Sequence, residues 1–226
     1  MKRKSVYYVI IILTALYLAA CQSTESHRSV AVEQTQSART PYYGPRSPIA
    51  VGKFDNRSDF MRGIFSDGVD RLGGQAKTIL ITHLQQTSRF SVLDRENMEE
   101  ARREAEILGE TQELMGARYV ITGDVTEFGR KEVGDMQLYG ILGRGKKQVA
   151  YSKVSLYVVD IRTTEVVYSA QGAGEYELSD REVLGFGTTS SYDSTLNGKV
   201  LDLAIRESVD RLTEAIDAGI WGPAGR

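Results

Sequence analysis

Residues 154–178, "VSLYVVDIRTTEVVYSAQGAGEYEL", contain the pattern that decides the fold. The β-branched and aromatic runs 154–161 and 166–170 flank the short turn 162–165, and this arrangement predicts a β-hairpin. From Tyr168 to Leu178 the even-numbered residues are small, apolar or aromatic, whereas the odd-numbered residues are mostly polar. A period of two predicts a strand with one apolar face. That face either packs on a protein core or faces lipid.

The residues before and after the hairpin alternate between strand and helix patterns. This order predicts an α+β fold, a small mixed-sheet α/β domain over residues 47–226 in which helices cover the sheet. The predicted strands are 49–54, 89–94 and 118–128, and the predicted helices are about 66–86, 95–109, 111–117 and 197–218. The apolar stripe of the first helix consists of Val69, Leu72, Ala76, Ile79, Leu80 and Leu84. The stripe of the helix 95–109 consists of Met98, Ala101, Ala105 and Leu108, and that of the last helix of Leu201, Ala204, Ile205, Ser208, Leu212, Ala215 and Ile216.

The N-terminus resembles a secretion signal. A cationic "MKRK" precedes an apolar run of about 15 residues, which is short for a spanning helix and typical of a signal peptide, here residues 1–20. The run ends in "LYLAAC", which resembles the lipobox of bacterial lipoproteins, so we expect lipidation of Cys21. The alternative is an ordinary signal peptide with a coincidental cysteine. Gln22 follows in place of the aspartate that retains lipoproteins in the inner membrane, which favours the outer membrane.

Residues 21–46 are rich in Ser, Thr and Gln and lack sustained periodicity. Such a composition predicts a flexible tether between the lipid and the folded domain.

Composition and motifs argue against several function classes. A formal net charge of -2 gives no reason to expect nucleic acid as a partner. One cysteine and two histidines, His27 and His83, exclude a disulfide framework and a zinc site made of Cys and His alone. The sequence has no nucleotide-binding, serine-hydrolase or metalloprotease motif. We therefore predict no catalytic residues, no cofactor and no metal.

Three stretches resemble motifs of the CsgG/HfaB family of outer-membrane lipoproteins: "SRFSVLDREN" (88–97), "GARYVITGDVTEF" (116–128) and "VVDIRTTEVVYS" (158–169). The resemblance covers nearly all of the chain after residue 47, with Thr164 where the family usually has glycine in the hairpin turn. It implies an anticodon-binding-domain-like periplasmic domain. In the secretion-channel members, subunits form a ring and each adds two hairpins to one shared outer-membrane barrel. A second branch, the lipoprotein activators of peptidoglycan synthases, has the same core without membrane hairpins.

Two glycine-rich segments, 129–153 and 168–195, do not fit a minimal domain and are candidate membrane hairpins, with predicted turns at 143–147 and 179–182. A membrane strand needs about 9–11 alternating residues. The first segment fits less well, because Arg130 and Glu132 fall on its apolar face and must lie at the interface. The alternative is that both segments extend a soluble sheet. The candidate lipid-facing residues are Met136, Leu138, Tyr168, Tyr176, Leu178, Leu184, Phe186 and Tyr192.

By position, residues 60–67 correspond to the loop that narrows the pore of channel members. Phe60, Phe65 and Asp67 are the candidate constriction residues, although both phenylalanines also fit the core of the following helix. The leading hypothesis is thus a homo-oligomeric, lipid-anchored outer-membrane pore that exports curli-like or adhesin subunits by passive, gated transport. The expected partners are outer-membrane lipid, exported subunits and periplasmic accessory proteins. The alternative is a soluble periplasmic lipoprotein that activates peptidoglycan synthesis.

Overall fold

The computed structural model describes residues 34–60, 68–136, 144–182 and 196–222. The strands are β1 (Ser47–Asn56), β2 (Phe90–Leu93), β3 (Tyr119–Met136), β4 (Arg144–Asp160) and β5 (Val166–Glu182). The helices are α1 (Arg71–Gln86), α2 (Met98–Leu108) and α3 (Leu196–Asp217), and a short 3-10 helix spans Ser37–Arg39. This mixed sheet with its helices confirms the predicted fold class.

The five strands form one sheet in the order β2-β1-β3-β4-β5. β1 pairs in parallel with β2 and β3, because a helix connects each of these strands to the next. β4 and β5 follow as antiparallel neighbours. The predicted hairpin at 154–170 is therefore correct, and its strands are much longer than the sequence pattern suggested.

Helices α1 and α3 form the core with the sheet. α1 packs on β1 and β2, α3 packs on β4 and β5, and the two helices contact each other. Four of the residues predicted for the stripe of α1 are buried, but Val69 is 64% exposed and precedes the helix. The helix starts later than predicted because the side chain of Asp70 accepts a hydrogen bond from the N–H of Gly73 and caps it. None of the described helices is long and apolar enough to cross a membrane.

Helix α2 differs from the other two because it buries none of its residues. Its predicted stripe ends at Leu108, which is 73% exposed, and the neighbouring Ile107 is 76% exposed. Residues 111–117, predicted as a short helix, have no regular secondary structure. The left-handed Gly109 ends α2, and the N–H of Glu110 then donates to the carbonyl of Ala105.

The turn between β4 and β5 holds Thr164 in a backbone conformation that favours glycine. Thr164 has a φ of 60°, a left-handed conformation that is costly for a β-branched residue. Asp160 supports this turn by accepting a hydrogen bond from the N–H of Arg162, at 2.8 Å. That hydrogen bond, followed by the Arg118 guanidinium 3.3 Å away, lowers the pKa of Asp160.

Two glycines of β5 allow α3 to approach the sheet closely. A Cβ at Gly172 would overlap the carbonyl oxygen of Ala204 and lie 2.5 Å from Oγ of Ser208. A Cβ at Gly174 would lie 2.5 Å from the carbonyl oxygen of Val200. The helix backbone thus sits directly on the strand at these two positions, and no larger residue fits there without displacing α3.

We predict that Gly172→Ala lowers the free energy of unfolding by about 1–3 kcal/mol, because the added methyl group must push α3 away from β5. The measurement is urea denaturation followed by circular dichroism. The matched control is Gly74→Ala in α1, where a Cβ meets nothing within 4 Å. There we expect a gain of about 0.5–1 kcal/mol from helix propensity. Equal effects of the two substitutions would contradict the close approach.

Candidate functional site

Strands β3, β4 and β5 continue beyond the rest of the sheet as a three-stranded ribbon. The pairing of β1 with β3 reaches Val125, whereas β3 and β4 remain paired as far as Met136 and Arg144. The pairing of β4 with β5 reaches Arg144 and Glu182. The turns predicted at 143–147 and 179–182 are therefore wrong, since residues 144–147 and 179–182 are paired strand.

Contacts between the ribbon and α3 reach the rung formed by Arg130, Ala150 and Tyr176. Nε of Arg130 donates a 2.8 Å hydrogen bond to Oδ1 of Asn197 at the start of α3. The ammonium of Lys199 lies 4.9 Å from the centre of the Tyr176 ring, a cation–π contact. Ala150 is fully buried on the same rung. The N-terminus of α3 therefore marks the height at which the folded domain gives way to the ribbon.

The two outer edges of the ribbon, on β3 and β5, are capped just below this height. On β3, the carbonyl of Val125 accepts hydrogen bonds from the N–H groups of Arg57 and Ser58 at 2.9 and 3.0 Å. On β5, Glu207 of α3 accepts a 2.9 Å hydrogen bond from the N–H of Ala173. Such caps prevent strand addition along an edge. Beyond them, the described parts of β3 and β5 each pair with β4 alone.

The apolar even-numbered face of β5 is therefore covered along one part of the strand and more exposed along another. From Ala170 to Gly174 it is covered by α3, so the interpretation that this part faces lipid is wrong. Tyr168 is half-buried against the core. Tyr176, beside the N-terminal end of α3, is 36% exposed. The missed signal was the size of residues 172 and 174, because adjacent same-face glycines indicate a close backbone approach.

The remaining candidate residues are only partly placed. The ring of Phe60 packs on Phe128, with centroids 4.6 Å apart, and contributes to the core rather than standing free. Met136 and Leu178 lie on the backbone of β3 and β5. The others lie outside the described residues: Cys21, Phe65, Asp67, Leu138, Leu184, Phe186 and Tyr192.

The end of the predicted tether is not flexible but is bound to the domain. Residues 34–46, here called the N-terminal strap, contact α3 and the start of β2 through Gln36, Ser37 and Tyr42, whereas residues 39–41 and 43–46 are exposed. The carboxylate of Asp210 accepts hydrogen bonds from the N–H groups of Gln36 and Ser37, and its Oδ1 lies 2.8 Å from Oγ of Ser37. Thr35 is fully buried. The tether prediction is therefore wrong for this part of the chain.

Arg89 also binds the strap. Its side chain is buried and forms a bidentate ion pair with Asp217, with Nη2 2.7 Å from Oδ2. Its Nη1 donates to the carbonyl of Ser37 at 3.1 Å, and its guanidinium lies 5.0 Å from the centre of the Tyr42 ring. One arginine thus joins α3 to the strap, where it contacts both the backbone of Ser37 and the ring of Tyr42. Composition could not reveal this, because polar groups distant in sequence hold the strap.

A second long-range polar contact joins α1 to α3. Nε2 of the buried His83 lies 2.8 Å from Oδ1 of Asp202. Across the described residues, no group of three or more His, Cys, Asp or Glu side chains is arranged to hold a metal ion.

We predict that Asp210→Ala releases the strap and increases the rate of tryptic cleavage after Arg39 about ten-fold, because charge-assisted hydrogen bonds are lost. Limited proteolysis with mass spectrometry measures the rate. Glu214→Ala, one turn further along α3 and exposed, is the matched control and should leave the rate unchanged. Cleavage that is equally fast in the unmodified chain would show that the strap is not held.

Comparison with known proteins gives one family and several likenesses. The family model described as "Curli production assembly/transport component CsgG" matches residues 29–224. A protein of Neisseria meningitidis serogroup B, "Putative lipoprotein NMB1126/NMB1164", is 62% identical over 215 residues, which are 95% of this chain and 96% of that protein. The PelC dodecamer structure from Paraburkholderia phytofirmans is 17% identical, with a TM-score of 0.36 over 75% of this chain and 91% of that chain. Lipoprotein GNA1162 from Neisseria meningitidis is 16% identical, with a TM-score of 0.35 over 77% and 97%.

Proposed function

Because the chain belongs to the CsgG family, we propose that it is an outer-membrane lipoprotein, anchored through Cys21, that assembles into a pore. Each subunit inserts two β-hairpins into a shared barrel, and exported curli-like or adhesin subunits pass through the lumen without hydrolysis of a nucleotide. The proposed function is non-enzymatic. Its lipoprotein character is supported by the 62% identical relative, which carries a lipoprotein name.

The observation that carries the proposal is the equal length of chain beyond the rung that α3 contacts. From Lys131 to Val149 the chain has 19 residues, and from Glu177 to Thr195 it again has 19 before α3 begins. Hairpins of one shared barrel must reach the same height, because their strands pair side by side. Two unrelated surface loops have no reason to match in this way.

The length falls slightly short of a full membrane span. A hairpin of 19 residues in which Lys131 pairs with Val149 would provide two strands of about eight residues and a three-residue turn, or about 27 Å along each strand. A tilt of about 40° reduces this to a height of about 21 Å, against an apolar band of about 25 Å in outer-membrane barrels. Arg130 then lies at the lower interface, where its guanidinium is bound to Asn197 and is not exposed to lipid.

The edges of the ribbon support assembly from several copies. Below the rung, Glu207 and the end of β1 cap the outer edges of β5 and β3, and above it these edges have no described backbone partner. An exposed, long strand edge is a template for pairing with another chain. We therefore propose that β3 of one copy pairs above the caps with the second hairpin of the next copy.

The second candidate is a soluble periplasmic lipoprotein that activates or adapts peptidoglycan synthesis. The observation that favours it is the coverage of the apolar face of β5 by α3 from Ala170 to Gly174. The packing of Phe60 on Phe128 also removes one candidate for a pore constriction. In this alternative, both hairpins extend into the periplasm and contact water on both faces.

The two candidates predict different surroundings for neighbouring residues of each hairpin. We expect nitroxide labels at Leu138→Cys and Phe186→Cys to be relaxed by oxygen, which concentrates in lipid, and labels at Gln137→Cys and Thr189→Cys to be relaxed by water-soluble nickel complexes. Labelling is specific because Cys21 is the only native cysteine and its thiol is consumed by lipidation. If all four labels respond to the nickel complex alone, the hairpins are not in the membrane and the soluble candidate is favoured.

We predict that Cys21→Ser moves the protein from the outer-membrane fraction to the soluble periplasmic fraction or leaves an uncleaved precursor. Acyl chains contribute about 0.8 kcal/mol per buried methylene, so their loss removes the anchor that holds the chain at the membrane before its hairpins pair into a barrel. Cell fractionation and mass spectrometry measure the outcome, with Ser23→Ala as the control two residues later. An unchanged fractionation pattern with no lipid on the native protein would contradict the anchor.

A further inference from the structure

Helix α2 and the residues after it form an exposed surface that is both apolar and acidic. Among the described residues, ten large hydrophobic side chains are exposed, and four of them lie between positions 107 and 115. The stretch from Met98 to Met115 contains six glutamates and two arginines. We define the acidic–apolar surface by the following residues: Glu100, Glu104, Ile107, Leu108, Leu114 and Met115.

Helical spacing brings the first four of these residues together. Glu100, Glu104 and Leu108 are four residues apart, and Ile107 lies three residues after Glu104, so they share one side of α2. Arg102 pairs with Glu99 and Glu106, and the exposed Arg103, three residues after Glu100, lies 3.9 Å from Glu99. Glu100 and Glu104 have no cation partner among the described residues. The surface is thus negatively charged and apolar.

The N-terminal strap has the complementary character. Residues 39–46, "RTPYYGPR", contain two arginines, two tyrosines and no acidic residue, and we call them the basic–aromatic segment. Arg39 and Arg46 are exposed, and Tyr43 is 95% exposed, more than any other large hydrophobic residue described. Tyrosine and arginine are the residue types that most often dominate the binding energy of protein interfaces.

The basic–aromatic segment is already ordered in the single subunit. Arg89 supports the ring of Tyr42, and the hydroxyl of Tyr42 donates a 3.1 Å hydrogen bond to the carbonyl of Pro45, which closes the turn that presents Tyr43. Asp210 fixes the 3-10 helix that ends at Arg39. A segment held in this way loses little conformational entropy when it binds, which favours its use as a contact surface.

We infer that the basic–aromatic segment of one copy docks on the acidic–apolar surface of a second copy. The inference rests on the proposed homo-oligomer and identifies one of its contacts. The two surfaces are different and lie on different elements, so the contact is head-to-tail, and contacts of this type generate closed rings when the rotation closes. Arg39 and Arg46 pair with Glu100 and Glu104, and Tyr43 packs against Ile107 and Leu108.

Charge reversal tests this pairing on the lipidated chain extracted in detergent, with sedimentation velocity over a range of concentrations as the measurement. We expect R39E/R46E alone and E100R/E104R alone to weaken self-association at least about ten-fold, because like charges then face each other. An equimolar mixture of the two variants should recover the association of the unmodified chain, since each reversed surface meets its complement on the other variant.

The matched control for R39E/R46E reverses two exposed cations elsewhere, K53E/R162E, with the same change in net charge and no expected effect on association. Tyr43→Ser and Leu108→Ser provide a second pair that leaves the charge unchanged and should also weaken association. Circular dichroism confirms folding of each variant.

If the unmodified chain oligomerises and the reversed variants do so equally well, the inferred contact is wrong while the proposed pore stands. Variants that dissociate without recovery on mixing would also overturn the pairing. A chain that sediments as a monomer at every concentration would overturn both the contact and the pore.

Discussion

The close approach of α3 to β5 at Gly172 and Gly174 is the contact on which the other features depend. It sets the height of a helix of 22 residues, about 33 Å long. The first turn of α3 then meets the ribbon at Arg130 and Tyr176, and its middle caps the edge of β5 through Glu207. Near its C-terminus, α3 holds the strap directly through Asp210 and indirectly through Asp217, which pairs with Arg89. A displacement of α3 would therefore disturb both ends of the domain at once.

Sequence periodicity predicted what lies on one face of an element but not what covers that face. In α3 the predicted stripe is buried, apart from the half-buried Ile216, because the helix packs on β4 and β5. In α2 the stripe ending at Leu108 is equally regular and yet exposed. In β5 the alternation from Tyr168 to Tyr176 continues from core to open surface without interruption, since a protein core and lipid select the same apolar residues. The small residues at positions 172 and 174 were the one local signal that distinguished the part of β5 covered by the core from the part on the open surface.

The strap was missed for a different reason. Composition measures how much apolar surface a segment can bury, and residues 34–46 have little of it. The strap is instead ordered by hydrogen bonds and an ion pair whose other members, Arg89, Asp210 and Asp217, lie far along the chain. The binding free energy of such a segment depends on groups that no local pattern contains. The same order makes residues 39–46 a defined surface instead of a loose linker.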